Sequence, residues 1–181
     1  MKKILLTLLI LSVILSSQAQ TMPINEESGE IEYQEVVLLD SKSKDEIYQN
    51  AKTWMLSTLK SSDNMTQLDD QEKNQLIGNG TLMLDKRSGM IDCMVNFKII
   101  IKIKEGRYQY TINNFLHFYY QDGITPLRSS LNEIMTNDWG GKPMKEKKQE
   151  EIRKEVDTKI KALINNMKTS ILEKNNEDDD W

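Results

Sequence analysis

A single cysteine, Cys93, and a single histidine, His117, are all that this chain has of the residues that most often do chemistry. One cysteine excludes an internal disulfide, so stability has to come from packing. A reactive thiol needs a basic neighbour, and Cys93 sits in an alternating apolar run, where it reads as a small buried hydrophobe. His117, between Leu116 and Phe118, has no positioned partner for acid-base work and no set of further ligands for zinc. Phosphate-cradling glycine loops and nucleophile motifs are missing. Asp69-Asp70 reads as solvated turn, and the run Glu177 to Asp180 lacks the turn glycine and ligand spacing of a calcium loop. No catalytic residue, cofactor or metal site is assigned on these grounds. Positive charge is also scarce: 24 Lys and Arg stand against 28 Asp and Glu, for a net charge of −4. Without a basic stripe the chain is not expected to bind nucleic acid.

Long apolar runs are lacking as well, with one instructive exception. Lys2-Lys3, the apolar stretch Ile4 to Leu15 and the small and polar Ser16-Ser17-Gln18-Ala19-Gln20 follow the order of a secretory leader, and the run is short for a bilayer span. Residues 1–19 are therefore expected to be a signal peptide, cleaved before Gln20. The mature chain would be periplasmic, envelope-associated or secreted, with no transmembrane span and no cysteine at the cleavage site to carry a lipid. Beyond it the sequence divides into a solvated, disordered lead-in (20–28), an α+β domain (29–122), a C-terminal helical region (123–174) and an acidic disordered tail (175–181).

Ile31, Tyr33 and Val37 alternate with Glu32, Gln34 and Val36, which predicts a strand running on to Leu39. Ser43-Lys44-Asp45-Glu46 has the form of a capping box, and Ile47, Ala51, Trp54, Met55 and Thr58 follow at helical spacing. Trp54 reads as a core anchor and Trp139 as a packing plug. Asn64 to Asp70 reads as a short edge strand. Leu76, Gly78, Gly80, Leu82 and Leu84 share one parity, with the glycines marking a bulge or a strongly coiled strand. Met90 to Lys104 is a long strand with Ile91, Cys93, Val95, Phe97, Ile99, Ile101 and Ile103 on one face. Glu105-Gly106 turns it back as Arg107 to Tyr120. The period then changes: Leu127 to Met135 suggests a short helix, and Met144 to Glu173 a long amphipathic one with the stripe Ile152, Val156, Ile160, Leu163, Ile164, Met167 and Ile171. The pairs Glu150 to Lys154, Glu155 to Lys159 and Asp157 to Lys161 support it.

The order and spacing of Gly29-Glu30-Ile31-Glu32-Tyr33-Gln34-Glu35-Val36-Val37, Ser43 to Tyr48, Ala51 to Trp54, Ile77-Gly78-Asn79-Gly80 and Gly106 to Thr111 resemble a family of exported bacterial domains of unknown function with a TATA-binding-protein-like fold. The resemblance covers about Gly29 to Tyr120. It implies a curved antiparallel sheet with helices on one side, and no activity, since fold alone does not confer one.

The fold class is thus α+β: one antiparallel sheet of about five strands, an early capped helix and two C-terminal helices. Met94, Lys98 and Ile100 on one strand, beside Phe115, His117 and Tyr119 on the next, form the expected ligand or partner face. A bulge at Asn113-Asn114 leaves open which parity of the second strand points out. The long helix over 144–173 packs on its own sheet or on another copy, giving a homo-oligomer. The function expected is that of an exported binding module for a protein or small-molecule ligand. An enzyme with a site assembled from scattered residues, and a structural subunit of an envelope assembly, stand as alternatives.

Overall fold

The computed structural model of the chain describes residues 22–59, 68–70, 72–85, 93–120, 126–131 and 146–173. Eight elements follow in order: β1 (Tyr33–Leu38), α1 (Lys44–Thr58), β2 (Leu68–Asp70), β3 (Gln75–Met83), β4 (Cys93–Lys104), β5 (Arg107–Tyr120), β6 (Pro126–Ser130) and α2 (Glu146–Leu172). The strands form one antiparallel sheet in the order β1-β5-β4-β3-β2, with β6 also on β5. β1 takes residues 107–112 of β5 and β6 takes residues 116–120, so two short strands line one edge of a long one.

Each element has a local cause. Ser43 Oγ accepts from the Glu46 amide while the Glu46 carboxylate accepts from the Ser43 amide, which closes the capping box that starts α1. Ile47, Ala51, Trp54 and Met55 then face the sheet and are buried. Gly106, at φ +64°, permits the tight return from β4 to β5. The glycines of β3 serve close approach and not a bulge, because the β3–β4 register runs unbroken from Gln75 to Met83. A Cβ at Gly78 would lie 2.5 Å from Met55 Cε, and one at Gly80 would lie 2.1 Å from Phe97 Cζ. Gly78 thus seats α1, and Gly80 gives Phe97 room to lie across the strand. Phe97 packs against Phe115, which meets Tyr33 edge-on at 6.0 Å.

α2 runs beside α1 in the opposite direction, as Trp54 donating to Asn166 and Asn50 donating to the Ile171 and Glu173 carbonyls show. Its stripe of Ile152, Val156, Ile160, Ile164, Met167 and Ile171 is buried within this chain. Each such side chain contributes about 1.5–3 kcal/mol of burial. Of the two placements expected for the 144–173 helix, the stripe takes the one on its own domain. Leu163 is only partly buried at the edge of the same core.

Two further expectations are corrected. Residues 22–28 are not a disordered lead-in: Met22 is buried, Asn25 Oδ1 accepts from the Glu27 and Ser28 amides, and Ile24 bridges to Ile31. The asparagine turn folds this segment back on the start of the sheet. The stretch from Leu127 to Ser130, expected to open a short helix, belongs instead to strand β6, because backbone pairing with the distal half of β5 outweighs a weak helical period; Leu131, further along that expected helix, is helical. Ile134, Met135, Trp139, the turn at 86–89, residues 1–19 and the acidic tail lie outside the described residues.

Gly80→Ala is expected to lower stability by about 1–3 kcal/mol through overpacking against Phe97. Urea unfolding measures it, and a midpoint equal to that of the parent protein would show that Phe97 does not need the space.

Candidate functional site

All described helix lies on one side of the sheet, and the strand registers define what the other side carries. Met83 lies opposite Met94; Thr81, Asn96 and Leu116 form the next row; Asn79, Lys98 and Asn113 the next; then Ile77, Ile100, Thr111 and Gln34; then Gln75, Lys102, Gln109 and Val36; and finally Lys104, Arg107 and Leu38 beside the β4–β5 turn. Alternation along each strand puts these on one face, because their neighbours Val95, Phe97, Ile99, Ile101 and Ile103 are buried under the helices. The polar members bond to one another: Thr81 Oγ1 donates to Asn96, Gln34 Nε2 to Thr111, and Asn113 Nδ2 to Glu32, which also accepts from Asn25. Met94, Ile77, Ile100 and Leu116 are half-buried between these polar rows, while Val36 is 51 % and Leu38 65 % exposed. The result is a broad surface of alternating apolar and hydrogen-bonding bands.

The six residues expected to share a partner face do not all share one. Met94, Lys98 and Ile100 lie together on the open face. Phe115 and His117 are on the helix-covered side, 5 % and 0 % exposed. This corrects the expectation, and the reason is the bulge. Asn96 pairs with Leu116 and Lys98 with Asn113, so Phe97 faces two residues, and Asn114 adopts φ +53°. The extra residue switches the inward parity from Tyr108, Tyr110 and Ile112 to Phe115 and His117. Tyr119 pairs with Cys93 and Leu127 at the backbone level. Sequence reasoning missed Ile77, Leu116 and Gln109 as members of the open face, though their parity relative to Ile100 was a usable signal once the register was known.

The titratable groups cluster on the covered side in three similar arrangements. Tyr33 donates to Asp157, which is 1 % exposed and pairs with Lys161 at 2.7 Å. Tyr110 donates to Glu35, which takes Lys168 at 2.6 Å. Tyr48 donates to Asp69, which pairs with Lys52 at 2.7 Å. Burial first, and the bonded carboxylate second, push the Tyr33, Tyr48 and Tyr110 hydroxyls far above the ordinary phenol range. Phenols held this firmly in the protonated form donate hydrogen bonds and are poor bases. Two of these clusters join α2 to β1 and the third joins α1 to β2, so they act as clamps between layers. Beside two of them, an open hollow of about 620 Å³ at the β1 edge is lined by Asn25, Glu26, Glu27, Glu32, Tyr33 and Tyr110 among others. Among the described residues no group of three or more His, Cys, Asp or Glu side chains is arranged to hold a metal ion.

A one-sided antiparallel sheet of this topology has known counterparts. Residues 33–118 match the model of the family described as "Domain of unknown function (DUF4468) with TBP-like fold". The chain is similar to the crystal structure of a TBP-like protein from Parabacteroides distasonis, with a TM-score of 0.68 and 12 % identity over 83 % of this chain and 96 % of that one. It is also similar to a DUF4468 family protein from Bacteroides ovatus, with a TM-score of 0.63 and 13 % identity over 84 % and 92 % of the two chains. At these identities the likeness shows the fold, which is α+β and TBP-like. No curated protein matches the chain.

Hydrogen bonds from Lys168 and then Tyr110 hold the Glu35 carboxyl below the usual carboxylate range, and Lys52 and then Tyr48 do the same for Asp69. A depressed carboxylate stabilises the fold above its unfolded pKa of about 4 and loses that contribution as pH falls through the lower folded value. Both groups are partly exposed, so each pair contributes about 0–1 kcal/mol. Denaturant titrations across this acid window are expected to show a shallower pH slope in Glu35→Gln than in the parent. Equal slopes would remove the clamp from the acid response.

Proposed function

We propose that this chain is an exported binding module that holds a protein or small-molecule ligand on the open face of its sheet. The observation that carries this reading is the half-buried apolar band Met94, Ile100, Ile77 and Leu116, set between hydrogen-bonding rows on a face that no described element covers. A polar face would suffice to keep the sheet solvated, so the retained apolar side chains favour contact with a partner. The tyrosine-carboxylate-lysine clusters sit on the other side, where they join helices to sheet, which favours binding over catalysis as the work of the open face. Export rests on the leader pattern of Lys2-Lys3, Ile4 to Leu15 and Ser16 to Gln20.

Lys98→Glu combined with Ile100→Glu is the discriminating variant, because both residues lie on the open face. Substituting Phe115 would instead damage the core. With cooperative urea unfolding retained, recovery of a cross-linked partner from the native envelope is expected to fall about tenfold, equivalent to about 1.4 kcal/mol. Undiminished recovery from the folded variant would overturn the assignment of the face. For export, the protein isolated from its host is expected to begin at Gln20 by intact mass; a cytosolic protein that keeps Met1 would overturn it.

A further inference from the structure

β1 lies at the edge of the sheet, and its hydrogen-bond phase shows what the outer side of the strand offers. The Leu39 amide donates to the Gly106 carbonyl, in step with the register that sets Tyr33 opposite Ile112 and Leu38 opposite Arg107. Bonded positions alternate in an antiparallel pair, so Tyr33, Glu35 and Val37 bond to β5 while the amides and carbonyls of Gln34, Val36 and Leu38 point away from it. The Glu32 amide fits this phase, since it points outward and donates to the Pro23 carbonyl. Among the described residues, the outward backbone groups of Gln34, Val36 and Leu38 meet no hydrogen-bond partner.

The strand has none of the devices that usually blunt such an edge. Tyr33–Leu38 contains no proline and no lysine, and its register on β5 is unbroken. Its one inward charge, Glu35, is already matched by Lys168 and Tyr110. Val36 and Leu38 stand on the same side of the strand and are both exposed. A strand added beside them would cover both with its own side chains.

The free stretch has a definite end. The Glu32–Pro23 bond and the Ile24–Ile31 bridge fill the edge beyond Gln34. There the hollow of about 620 Å³ opens, lined by Pro23, Glu26, Glu27, Glu32 and Gln34 among others. Asn25 and Asn113 occupy the Glu32 carboxylate, whereas Glu26 and Glu27 are exposed. A strand laid antiparallel on residues 34–38 ends its C-terminal side at this hollow, where the carboxylates favour Lys or Arg. The same charges disfavour a second copy. Pairing two β1 strands about Val36 or Val37 would bring Asp40 of one copy to Glu32 or Gln34 of the other, at the acidic hollow. Pairing about Glu35 would set the two Glu35 side chains opposite each other.

The geometry points to a strand-addition site at the outer edge of β1. Gln34, Val36 and Leu38 take an extended segment of a partner protein through main-chain hydrogen bonds, and Glu26 and Glu27 receive a Lys or Arg at the C-terminal end of that segment. The site is separate from the open face and does not depend on it.

Hydrogen exchange and amide spectra of the isotope-labelled full chain test it, with the acetylated and amidated peptide Thr-Val-Thr-Val-Thr-Lys-Lys as probe. In the free protein the amides of Gln34, Val36 and Leu38 are expected to exchange faster than those of Glu35 and Val37. Equal protection at every protein concentration would mean that the chain covers its own edge, and would overturn the site. Protection that grows with protein concentration would assign the edge to a second copy and overturn the occupant. Added peptide is expected to shift Gln34, Val36 and Leu38 together with Glu26 and Glu27, and to bind about tenfold more tightly than the same peptide ending in Glu-Glu. Val36→Pro removes an outward amide and no bond to β5, so it is expected to abolish these shifts with cooperative unfolding retained. Glu26→Lys with Glu27→Lys, on exposed side chains, leaves the strand intact and is expected to reverse the preference between the two peptides. Absence of shifts along 34–38, or an unchanged preference in the Glu26→Lys, Glu27→Lys variant, would overturn the proposal. Lys98→Glu with Ile100→Glu lies two strands in from the edge and is expected to leave the peptide bound; loss of the peptide there would move it to the open face and overturn the edge site.

Discussion

The left-handed backbone at Asn114, φ +53°, decides which residues of β5 meet the helices on either side of it. Before it, Tyr108, Tyr110 and Ile112 point inward; after it, Phe115 and His117 do. A regular strand would have turned Phe115 and His117 to the open face and brought Leu116 under the helices. The aromatic contact from Tyr33 through Phe115 to Phe97 depends on this switch, and so does the space at Gly80 into which Phe97 extends. Asparagine is one of the few residues that adopts this conformation at modest cost, and a single one suffices for the register of β4 and β6 on either side.

With Tyr108, Tyr110, Ile112, Phe115 and His117 all turned to the helices, the sheet has unequal faces. The covered side is dry, closed by two antiparallel helices and clamped by phenol-carboxylate-ammonium clusters. The open side retains Ile77, Met94, Ile100 and Leu116 at partial exposure, separated by cross-strand amide and hydroxyl pairs that satisfy one another. Such internal pairing lowers the cost of covering the face, since groups already bonded within the strand pairs need not find new partners when water leaves.

Much of this was legible in the residues. The capping box at Ser43 to Glu46, the buried parity of Val95 to Ile103, the glycine turn at Gly106 and the stripe of α2 each follow from local chemistry that tertiary structure did not override. The bulge at Asn113-Asn114 was legible as a feature but not in its consequence, because parity beyond a bulge depends on the partner register, which no single strand contains. For the same reason Phe115 and His117 could not be sided correctly while Met94, Lys98 and Ile100 could. The residues of β6 just before Leu131 were read as the start of a helix because a five-residue strand held by pairing leaves almost no periodic signal. The order in residues 22–28 was missed because its determinants, Met22 packing and the Asn25 turn, are each one residue long.

The edge of β5 opposite β4 is shared by β1 over residues 107–112 and β6 over residues 116–120, and the interval between them is bridged from the side by the Asn113 amide on Glu32. The earliest and the latest strands of the described chain are thus held side by side on one support without pairing with each other. A pull or a proteolytic cut at one end would peel away its own half of the seam and leave the other in register. Local opening in this protein would then begin at two separate points on β5 and need not spread from one to the other.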